Sequence, residues 1–380
     1  MSDLDPELLG RIRSRAAGYD RENAFFTEDL DELRATGYLA SRSLLEAARD
    51  QRLLAAHAPA TALGINMHLV WTGVARVLAA RGDDSLAWVL RDAAAGELFA
   101  FGNSEPGNDL VLWDSLTAAE PVETTDGHGF AFTGTKIFTS LAPAWTRLGI
   151  FGKQTAGDGA PRLVHGFLTR ATPGDPIDGV TTLDDWDTLG MRATQSNTTR
   201  LDGAVVSDER ISRFLPVGPN ADPFVFAIFA NFLLLIGSVY AGIADRALEL
   251  AVEAAHRRTS LKNGGAPYAT DPDIRWRIAD AALAIDALAP DLETLAADVD
   301  GIVDHGADWF RKLTGAKHRA TETARRVVDQ AMRVAGGGGY ASSSELARLQ
   351  RDVLAGIYHP SDTESVHSTV ATNLLGPLPD

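Results

Sequence analysis

The side chains that could do chemistry in this chain are histidines and hydroxyl groups, because the sequence contains no cysteine. The absence of cysteine excludes thiolate catalysis, disulfide bonds and iron–sulfur centres. The nine histidines show no His-Glu-x-x-His or other metal-binding spacing, so we expect no metal site. Among them His359 is the most notable, because it precedes Pro360 at a break between two predicted helices. We therefore favour a functional role for His359 over a structural one.

The overall composition is that of a folded, acidic protein. Of its 380 residues, 45% are hydrophobic, and the formal net charge is −16. That length allows a large core, and the absence of a basic run argues against a nucleic-acid partner. The first residues are acidic where a signal peptide would be basic, and the most apolar segment, Phe224–Gly237, is too short to span a bilayer. We expect a cytoplasmic protein without a membrane partner.

The hydrophobic periodicity divides the chain into three parts. Residues 1–99 show helical spacing of apolar residues, and residues 219–380 show it again in longer stretches. Between them, residues 100–218 are rich in Gly, Pro and Thr and contain short runs that alternate apolar with polar residues. We predict an α+β protein with an N-terminal helical domain, a middle antiparallel β domain and a C-terminal four-helix bundle. The long C-terminal helices are predicted at Ile236–His256, Asp273–Asp300 and Ala316–Ala335.

Five short motifs follow one another from the end of the first helical part towards the C-terminus. They are Phe101–Gly107 (Phe-Gly-Asn-Ser-Glu-Pro-Gly), Gly134–Ser140 (Gly-Thr-Lys-Ile-Phe-Thr-Ser), Asp187–Thr198, Arg257–Lys262 and Arg333–Tyr340 (Arg-Val-Ala-Gly-Gly-Gly-Gly-Tyr). An Arg-Asp pair, Arg351–Asp352, follows the last of them. Their order and spacing resemble those of the acyl-CoA dehydrogenase superfamily over nearly the whole chain. The resemblance implies the acyl-CoA dehydrogenase fold and a bound flavin.

The resemblance implies flavin contacts in the first two motifs. Asn103 and Ser104 would hydrogen-bond the pyrimidine edge of the flavin. Phe138 would stack on the isoalloxazine, and Ser140 would direct its hydroxyl at flavin N5. A core position is an equally good reading of Phe138, since aromatic residues in strands are usually buried.

The other motifs imply contacts near the substrate and along the dinucleotide. Arg192 and Ser196 would brace a loop close to the substrate or the flavin, and a buried structural arginine is the alternative. Arg257 and Thr259 would hold the FAD pyrophosphate of a neighbouring subunit. In the last motif, which supplies Arg333, Gly336 and Gly337 as cofactor-binding residues, the glycines would let the chain approach the dinucleotide closely. Arginine suits phosphate because its guanidinium bonds two oxygens at once. These contacts imply FAD, although FMN is possible in oxygenases of this fold, and they imply a homotetramer built as a dimer of dimers.

Two features depart from the family pattern. The Val-Pro-Glu-x-x-Gly-Gly loop that usually follows the second helix is not recognisable, because Gly37–Ala40 runs directly into the next helical stretch. The glutamate that serves most members as catalytic base is replaced, since the expected Ile-Tyr-Glu-Gly-Thr reads Ile-Tyr-His-Pro-Ser with His359 in the place of Glu. The other position used by relatives, within Asn231–Gly237, holds no acid. Asp362 and Glu364 are candidates for a displaced base.

A histidine at this place resembles another branch of the same fold, the two-component flavin-dependent monooxygenases. This branch includes dibenzothiophene monooxygenases, and amino-sugar nitrososynthases are further relatives. In its sulfur-oxidising members a hydroxyl and two histidines surround the reactive edge of the flavin. The resemblance implies these catalytic roles for Ser140, His359 and His68. Imidazole suits the role because it titrates near neutral pH and can donate a hydrogen bond; for His68, a satisfied core histidine is an equally good reading.

Three functions are consistent with the sequence. The leading hypothesis is a monooxygenase that oxidises a small-molecule substrate with O2 and reduced flavin supplied by a separate flavin reductase. The second is an acyl-CoA dehydrogenase with an atypical base. The third is a catalytically idle paralogue that pairs with an active subunit. The missing glutamate counts against the second, and the retained Arg257 and Thr259 count against the third.

Overall fold

The computed structural model of the chain describes residues 4–124, 127–155 and 159–378. Its N-terminal part is helical, as predicted, with α1 (Pro6–Glu22), α2 (Thr27–Ala35), α3 (Leu44–Ala55), α4 (Pro59–Ala79) and α5 (Ala87–Ala94). Local side-chain chemistry fixes where these helices begin. The Asp5 carboxylate accepts from the first amides of α1, and Ser43 and Glu46 form a capping box at the start of α3.

The middle part forms a mixed sheet. Its strands are β1 (Phe99–Gly102), β2 (Ala118–Thr124), β3 (Gly127–Lys136), β4 (Arg147–Gln154), β5 (Arg162–Thr169), β6 (Val180–Thr182), β7 (Thr199–Ser207) and β8 (Ile211–Pro216). They lie in the order β6-β7-β3-β2-β4-β5-β8, and β1 pairs in parallel with β4. The prediction of a purely antiparallel domain is therefore corrected. Two parallel strands need a long connection between them, and here the connection from β1 to β4 contains β2 and β3. Local periodicity does not reveal a pairing between strands so far apart in the sequence.

The C-terminal part consists of helices. They are α6 (Pro223–Arg257), α7 (Pro272–Asp286), α8 (Leu288–Asp300), α9 (Asp308–Ala335), α10 (Glu345–Leu354) and α11 (Thr363–Leu375), with the short strands β9 (Thr259–Ser260) and β10 (Ala266–Pro267) after α6. The helices α6 and α9 pack along each other, and α7 and α8 contact both. The helix predicted at Asp273–Asp300 is two helices that meet at Ala287. The helix predicted from Ile236 begins earlier, where Asp222 caps it.

Two helices, α4 and α6, have the length and composition of membrane-spanning segments, so the expectation that the apolar segment now found within α6 is too short to span a bilayer is corrected. In the fold, 89% of the most apolar window of α4 and 83% of that of α6 are buried inside the protein. A helix that is apolar on all sides is the expected sequence for a helix surrounded by protein. Burial at the centre of the fold therefore accounts for their hydrophobicity, and it places both helices where they can line an internal site.

Candidate functional site

A cavity of about 370 Å³ lies where α4, the loops after β1 and β3, and α6 meet the segment that follows α10. Its walls are mostly apolar, and aromatic side chains contribute much of them: Phe101, Phe138, Trp186, Phe229 and Phe232. The predicted site residues that line it are Ser104, Phe138, Ser140, Ser196 and His359. A concave, apolar pocket with a few converging polar groups is typical of a small-molecule site.

Among the described residues, no ionisable side chain that lines the cavity carries an unpaired charge. In the described part of the chain no acidic side chain lines it, and the ionisable lining residues are Arg351, Tyr358 and His359. The Arg351 guanidinium donates to both carboxylate oxygens of Asp20, at 2.8 and 2.5 Å, and to the Leu189 carbonyl. The hydrogen bonds that Arg351 donates to Asp20 also raise the pKa of Arg351. A charged ligand would therefore find no unpaired counter-charge here.

Hydroxyl groups form a chain along one side of the cavity. The Oγ atoms of Ser140 and Ser196 lie 2.7 Å apart, and Ser196 Oγ lies 2.7 Å from Thr194 Oγ1. Thr194 donates to the carbonyl of Met191 at 2.9 Å. The sequence analysis named both Ser140 and Ser196 as site residues but missed Thr194. Its position depends on the left-handed backbone of Met191 and Gln195, at φ 54° and 43°, for which the sequence carries no signal.

Phe138 is a wall of the cavity and not part of the core. Its side chain is 53% exposed, and its ring makes an edge contact with Trp186 at a centroid distance of 6.2 Å. Its φ of 56° lies in the left-handed region, which is uncommon for an aromatic residue. Such backbone conformations concentrate at functional sites, where the surroundings hold them. The core reading of Phe138 is therefore wrong.

The loop after β1 brings Ser104 and Asn103 to this wall. Ser104 lines the cavity, and its carbonyl accepts from the amide of Ile137 at 2.9 Å. Asn103 is buried beside it, and neither atom of its side-chain amide has a hydrogen-bond partner in the described residues. Leaving a buried polar group unpaired costs about 1–3 kcal/mol. A half-exposed aromatic wall, adjacent hydroxyls and an unpaired buried amide together fit the ring of a flavin.

A buried ion pair joins the first two motifs. Lys136 Nζ lies 2.6 Å from Glu105 Oε1 and also donates to the carbonyl of Phe151 at 2.6 Å. Glu105 accepts further bonds from Thr117 and Ser115. Burial alone would raise the pKa of Glu105, but the charge and hydrogen bond of Lys136 outweigh it and lower this pKa to about 2. The pair therefore fixes the Asn103–Ser104 loop against the strand that leads to Phe138.

His359 lies at the cavity as a neutral imidazole. Its Nε2 is 3.0 Å from the hydroxyl of Tyr240, which is fully buried in α6. Burial and, to a lesser extent, the nearby positive charge of Lys317 together lower the pKa of His359 to about 3. The side chain is therefore uncharged throughout the physiological pH range.

Lys317 in α9 holds the segment around His359. Its buried Nζ donates to three carbonyl oxygens, those of Gly356 at 3.0 Å, His359 at 2.9 Å and Ser361 at 2.9 Å. Burial lowers the pKa of Lys317 to about 8. Neither this role nor that of Tyr240 was predictable from the sequence, because both residues lie far from His359 along the chain. Together they position the backbone and the ring of His359.

His68 is a structural residue, and its predicted catalytic role is wrong. It is fully buried and does not line the cavity. Its Nδ1 accepts from the amide of Phe99 at 3.2 Å, so the ring hydrogen is on Nε2, which donates to the Leu39 carbonyl at 2.7 Å. Burial lowers the pKa of His68 to about 4. The ring links α4 to β1 and to the short α2–α3 connection, where the family's longer loop was not recognisable.

Replacing His68 with leucine is therefore expected to affect stability and not catalysis. The free energy of unfolding should fall by about 2 kcal/mol, because the Leu39 carbonyl and the Phe99 amide would be buried without their partner. The rate of product formation per folded molecule should stay within about twofold of the original. Urea denaturation and steady-state rates measure the two quantities. A rate loss above about tenfold at unchanged stability would contradict this assignment.

Arg192 braces the loop above the cavity and does not line it. Its guanidinium donates to the carbonyl of Asp20, the carboxylate of Asp187 and the carbonyl of Thr188, each at 2.8 Å. These bonds tie the loop between β6 and β7 to α1. The predicted contact of Arg192 with substrate is therefore corrected, and its bracing role is what the geometry supports.

The residues predicted to contact the dinucleotide of FAD lie away from this cavity, at the end of α6 and around the end of α9: Arg257, Thr259, Arg333, Gly336 and Gly337. Arg257 lines a separate groove of about 420 Å³. Arg333 is exposed and pairs with Asp329 at 2.8 Å. Gly336 has a φ of 61°, a backbone conformation that residues with a Cβ rarely adopt, so glycine is favoured there. A cofactor contact through these residues stays a prediction, and it would have to be made to another subunit's cofactor.

Comparison with known proteins places this geometry in a family. Residues 234–361 match the family model "Acyl-CoA dehydrogenase, C-terminal domain". L-evernosamine nitrososynthase from Micromonospora sp. is 25% identical, over 93% of this chain and 84% of that protein. The mitochondrial short-chain specific acyl-CoA dehydrogenase of Bos taurus is 28% identical, over 76% of this chain and 65% of that protein. The relatives therefore include both nitrososynthases and acyl-CoA dehydrogenases.

Solved structures agree with the sequence relatives. KijD3 in complex with FMN and a dTDP-3-amino sugar is 25% identical, with a TM-score of 0.83 over 98% of this chain and 92% of that chain. Dibenzothiophene monooxygenase TdsC from Paenibacillus sp. A11-2, also solved with FMN and indole, has the same fold, with a TM-score of 0.79 at 18% identity over 98% of this chain and 96% of that chain. The chain is a member of the acyl-CoA dehydrogenase superfamily and a flavin-dependent oxidoreductase.

Proposed function

We propose that this protein is a flavin-dependent monooxygenase that oxidises a small molecule with O2 and reduced flavin. The observation that carries the proposal is the chemistry of the cavity. It is lined by the neutral His359 and a group of hydroxyls, and by no carboxylate in the described residues. The nitrososynthases among its relatives support the proposal, because they are related to the monooxygenase branch whose motifs this chain shares.

The side chains of the cavity have separable roles. A bound flavin, FAD or FMN, would supply the electrons and the position at which O2 is activated. Phe138 would lie against its ring, and Ser104, Ser140 and the unpaired amide of Asn103 would bond its polar edge. The apolar remainder of the walls would exclude water, which strengthens every hydrogen bond made inside the cavity.

His359 would act as a neutral hydrogen-bond donor. The buried Tyr240 hydroxyl has His359 Nε2 as its partner, and we infer that Tyr240 donates to it. This leaves the ring hydrogen of His359 on Nδ1. A preorganised N–H stabilises negative charge that develops on an oxygen, and it does so without a change in its own protonation state.

Acyl-CoA dehydrogenation is less well supported, because it needs a base beside the substrate. With a pKa of about 3, His359 is a weak base at neutral pH. Asp362 caps α11 by accepting from the amide of Ser365 at 2.8 Å, and it lies outside the cavity lining, as does Glu364. The predicted displaced bases therefore do not face the cavity in the described structure.

We further propose that the part of the substrate inside the cavity is small, flat and uncharged. Arg351 is neutralised by Asp20, so a phosphate or carboxylate would be desolvated without compensation, and so would an ammonium group. Phe101 and Phe232 stack with centroids 5.8 Å apart, and Phe229 packs on Trp113 at 5.8 Å. Rings held in this way favour stacked or edge-on contact with an aromatic ligand.

A separate flavin reductase and a homotetramer are part of the same proposal. The residues predicted to contact the dinucleotide, such as Arg257 and Gly336, lie away from the cavity of their own chain. If they hold a cofactor, that cofactor is bound in a neighbouring subunit, so the subunits must assemble into an oligomer. Closed symmetric oligomers of identical subunits are the usual form of such assemblies.

The test is an oxidation assay with reduced FMN, supplied chemically or by an added reductase, and a panel of uncharged aromatic compounds that includes indole. Oxidised product should form only when protein, reduced flavin and O2 are all present. Tryptamine and indole-3-acetate, which are charged at neutral pH, should react at least about tenfold more slowly. Anaerobic bleaching of bound flavin by butyryl-CoA would instead indicate a dehydrogenase. The absence of both reactions would indicate an idle paralogue, and either outcome would overturn the proposal.

A further inference from the structure

A second pocket, of about 390 Å³, lies next to the part of the cavity wall that carries Ser140 and Ser196. We call it the β5–β6 pocket, because the connection between these two strands forms one side of it. The other side is formed by the turn that follows Ser140 and by Gln195 and Asn197, the two neighbours of Ser196. No residue lines both the pocket and the cavity, so the pocket is a separate site.

Arg170 is a fixed cation at this pocket. Its guanidinium lies over the ring of Trp145, with the central carbon 3.8 Å from the ring centroid. Its Nε donates to the carbonyl of Trp145 at 2.5 Å, and one Nη donates to the carbonyl of Ala142 at 3.3 Å. A guanidinium has five N–H groups, so three of those of Arg170 have no partner among the described residues.

The charge of Arg170 is not neutralised within the described part of the chain. No carboxylate there forms an ion pair with it, because its two acceptors are backbone carbonyls. Burial lowers the pKa of Arg170 to about 10, and the charge of Asp175 offsets part of this effect, so the side chain stays charged at neutral pH. A partly buried charge favours an opposite charge on a ligand, and a planar carboxylate fits the guanidinium.

Asn197 provides a second unpaired polar group at the same pocket. Its side chain is 5% exposed, and among the described residues its amide has no hydrogen-bond partner. A buried amide of this kind is usually hydrogen-bonded, so its place in the lining points to a ligand that bonds it.

Two carboxylates, those of Asp175 and Asp184, also line the pocket. Asp175 accepts from the amide of Thr172 at 2.9 Å, whereas Asp184 is exposed and makes no hydrogen bond or ion pair in the described structure. Two carboxylates against one guanidinium leave one negative charge in excess. A ligand that carries only negative charge, such as phosphate, would add to this excess, but a ligand with an ammonium group would offset it.

We propose that the β5–β6 pocket binds a small apolar amino acid. Its carboxylate would bond Arg170 and Asn197, and its ammonium group would face Asp184. Its side chain would contact the apolar part of the lining, which includes Ile177 and Leu183. The pocket has the volume of a small-molecule site. This inference goes beyond the proposed function and does not depend on it, because the pocket needs neither flavin nor O2.

Calorimetric titration of the purified protein, in its native assembly and without flavin, tests the proposal. L-valine, L-leucine and L-phenylalanine are the probes, and at least one should bind with a Kd of about 1 mM or lower. Two truncated forms of leucine separate the two charged ends: 4-methylpentanoate lacks the amino group, and 3-methylbutylamine lacks the carboxylate. Each should bind at least about tenfold more weakly than the best amino acid, and so should inorganic phosphate.

Variants locate the bound amino acid. Arg170→Met and Asp184→Asn should each weaken binding at least about tenfold. Because Asp184 is exposed and unbonded, Asp184→Asn should keep the thermal midpoint of unfolding, and it tests the pocket even if Arg170→Met is poorly folded. The matched control is Arg162→Met, which removes an exposed arginine that stacks on Phe214 at 4.1 Å outside the pocket, and it should bind normally.

Three results would overturn the proposal. The first is that none of the three amino acids binds. The second is that 4-methylpentanoate, 3-methylbutylamine or phosphate binds as tightly as the best amino acid. The third is undiminished binding in both folded Arg170→Met and Asp184→Asn, which would place the amino acid elsewhere. Each of these results could occur while the oxidation assay succeeds, so failure of this inference and failure of the proposed function are distinguishable.

Discussion

Replacing His359 with alanine should reduce substrate oxidation at least about a hundredfold, the range expected for a positioned acid, base or donor. Among the described residues His359 is the imidazole that lines the cavity, and Tyr240 holds it as a neutral donor. Without that donor, O2 should still consume the reduced flavin but end as hydrogen peroxide instead of reaching the substrate. Chromatography measures the oxidised product, and a peroxide assay measures the hydrogen peroxide; these are the two branches of O2 consumption.

The matched control is His128→Ala, which removes an exposed histidine of β3 outside the cavity. Both branches should be unchanged in that variant. Product formation by His359→Ala within about threefold of the unaltered protein would show that His359 is not part of the oxidising site. A Tyr240→Phe variant should have a smaller effect of the same kind, because the imidazole stays but its tautomer is no longer fixed.

Replacing Lys317 with methionine should lower substrate oxidation about a hundredfold, although Lys317 does not line the cavity. Its three bonds to the carbonyls of Gly356, His359 and Ser361 hold the segment that carries the imidazole. Methionine keeps the length and removes every donor, so the segment would move. The binding of FMN should change little, because the hydroxyls of Ser140 and Ser196 bond each other and Thr194, and not this segment.

The pH profile distinguishes positioning from a general loss of structure. Burial lowers the pKa of His359 to about 3, below its unfolded value, and the charge of Lys317 adds to the effect. The folded protein therefore binds fewer protons than the unfolded chain between about pH 3 and 6.5, and in this window His359 makes stability rise with pH. The unaltered enzyme should show no inflection from His359 above pH 5. In Lys317→Met the pKa should rise, so its activity should decline as the pH falls towards 5.

The control for this variant is Lys312→Met on the same helix, because among the described residues no ion pair or hydrogen bond links Lys312 to the segment of His359. It should keep both the rate and the pH profile. A Lys317→Met enzyme with an unchanged profile and full rate would show that the three carbonyl contacts are dispensable.

Much of the site was predictable because its chemistry lies in short motifs. Ser104, Phe138, Ser140 and His359 stand close to turns and strand ends whose spacing is visible in the sequence, and all four line the cavity. The helix–sheet–helix order was predictable for the same reason, since the hydrophobic period changes where the elements change. The missing glutamate could be read directly, because its replacement lies within a recognisable motif.

The sequence predictions that failed were those that depended on the direction in which a side chain points. His68 and Arg192 have the residue types of a functional site, but backbone groups far away in sequence, such as the Leu39 carbonyl and the Asp20 carbonyl, bind them. Thr194, Tyr240 and Lys317 were missed because their roles arise only when helices and loops pack together. The parallel pairing of β1 with β4 is a further long-range feature that local periodicity does not contain.

The most direct test of the central claim is isotopic. The protein is supplied with reduced FMN, 18O2 and a compound that it oxidises, and the product is examined by mass spectrometry. If the protein is a monooxygenase, the product carries oxygen from 18O2. The product should carry no label when ordinary O2 is supplied in 18O-labelled water. A desaturated product that forms without O2 and carries no label would contradict the account and identify a dehydrogenase.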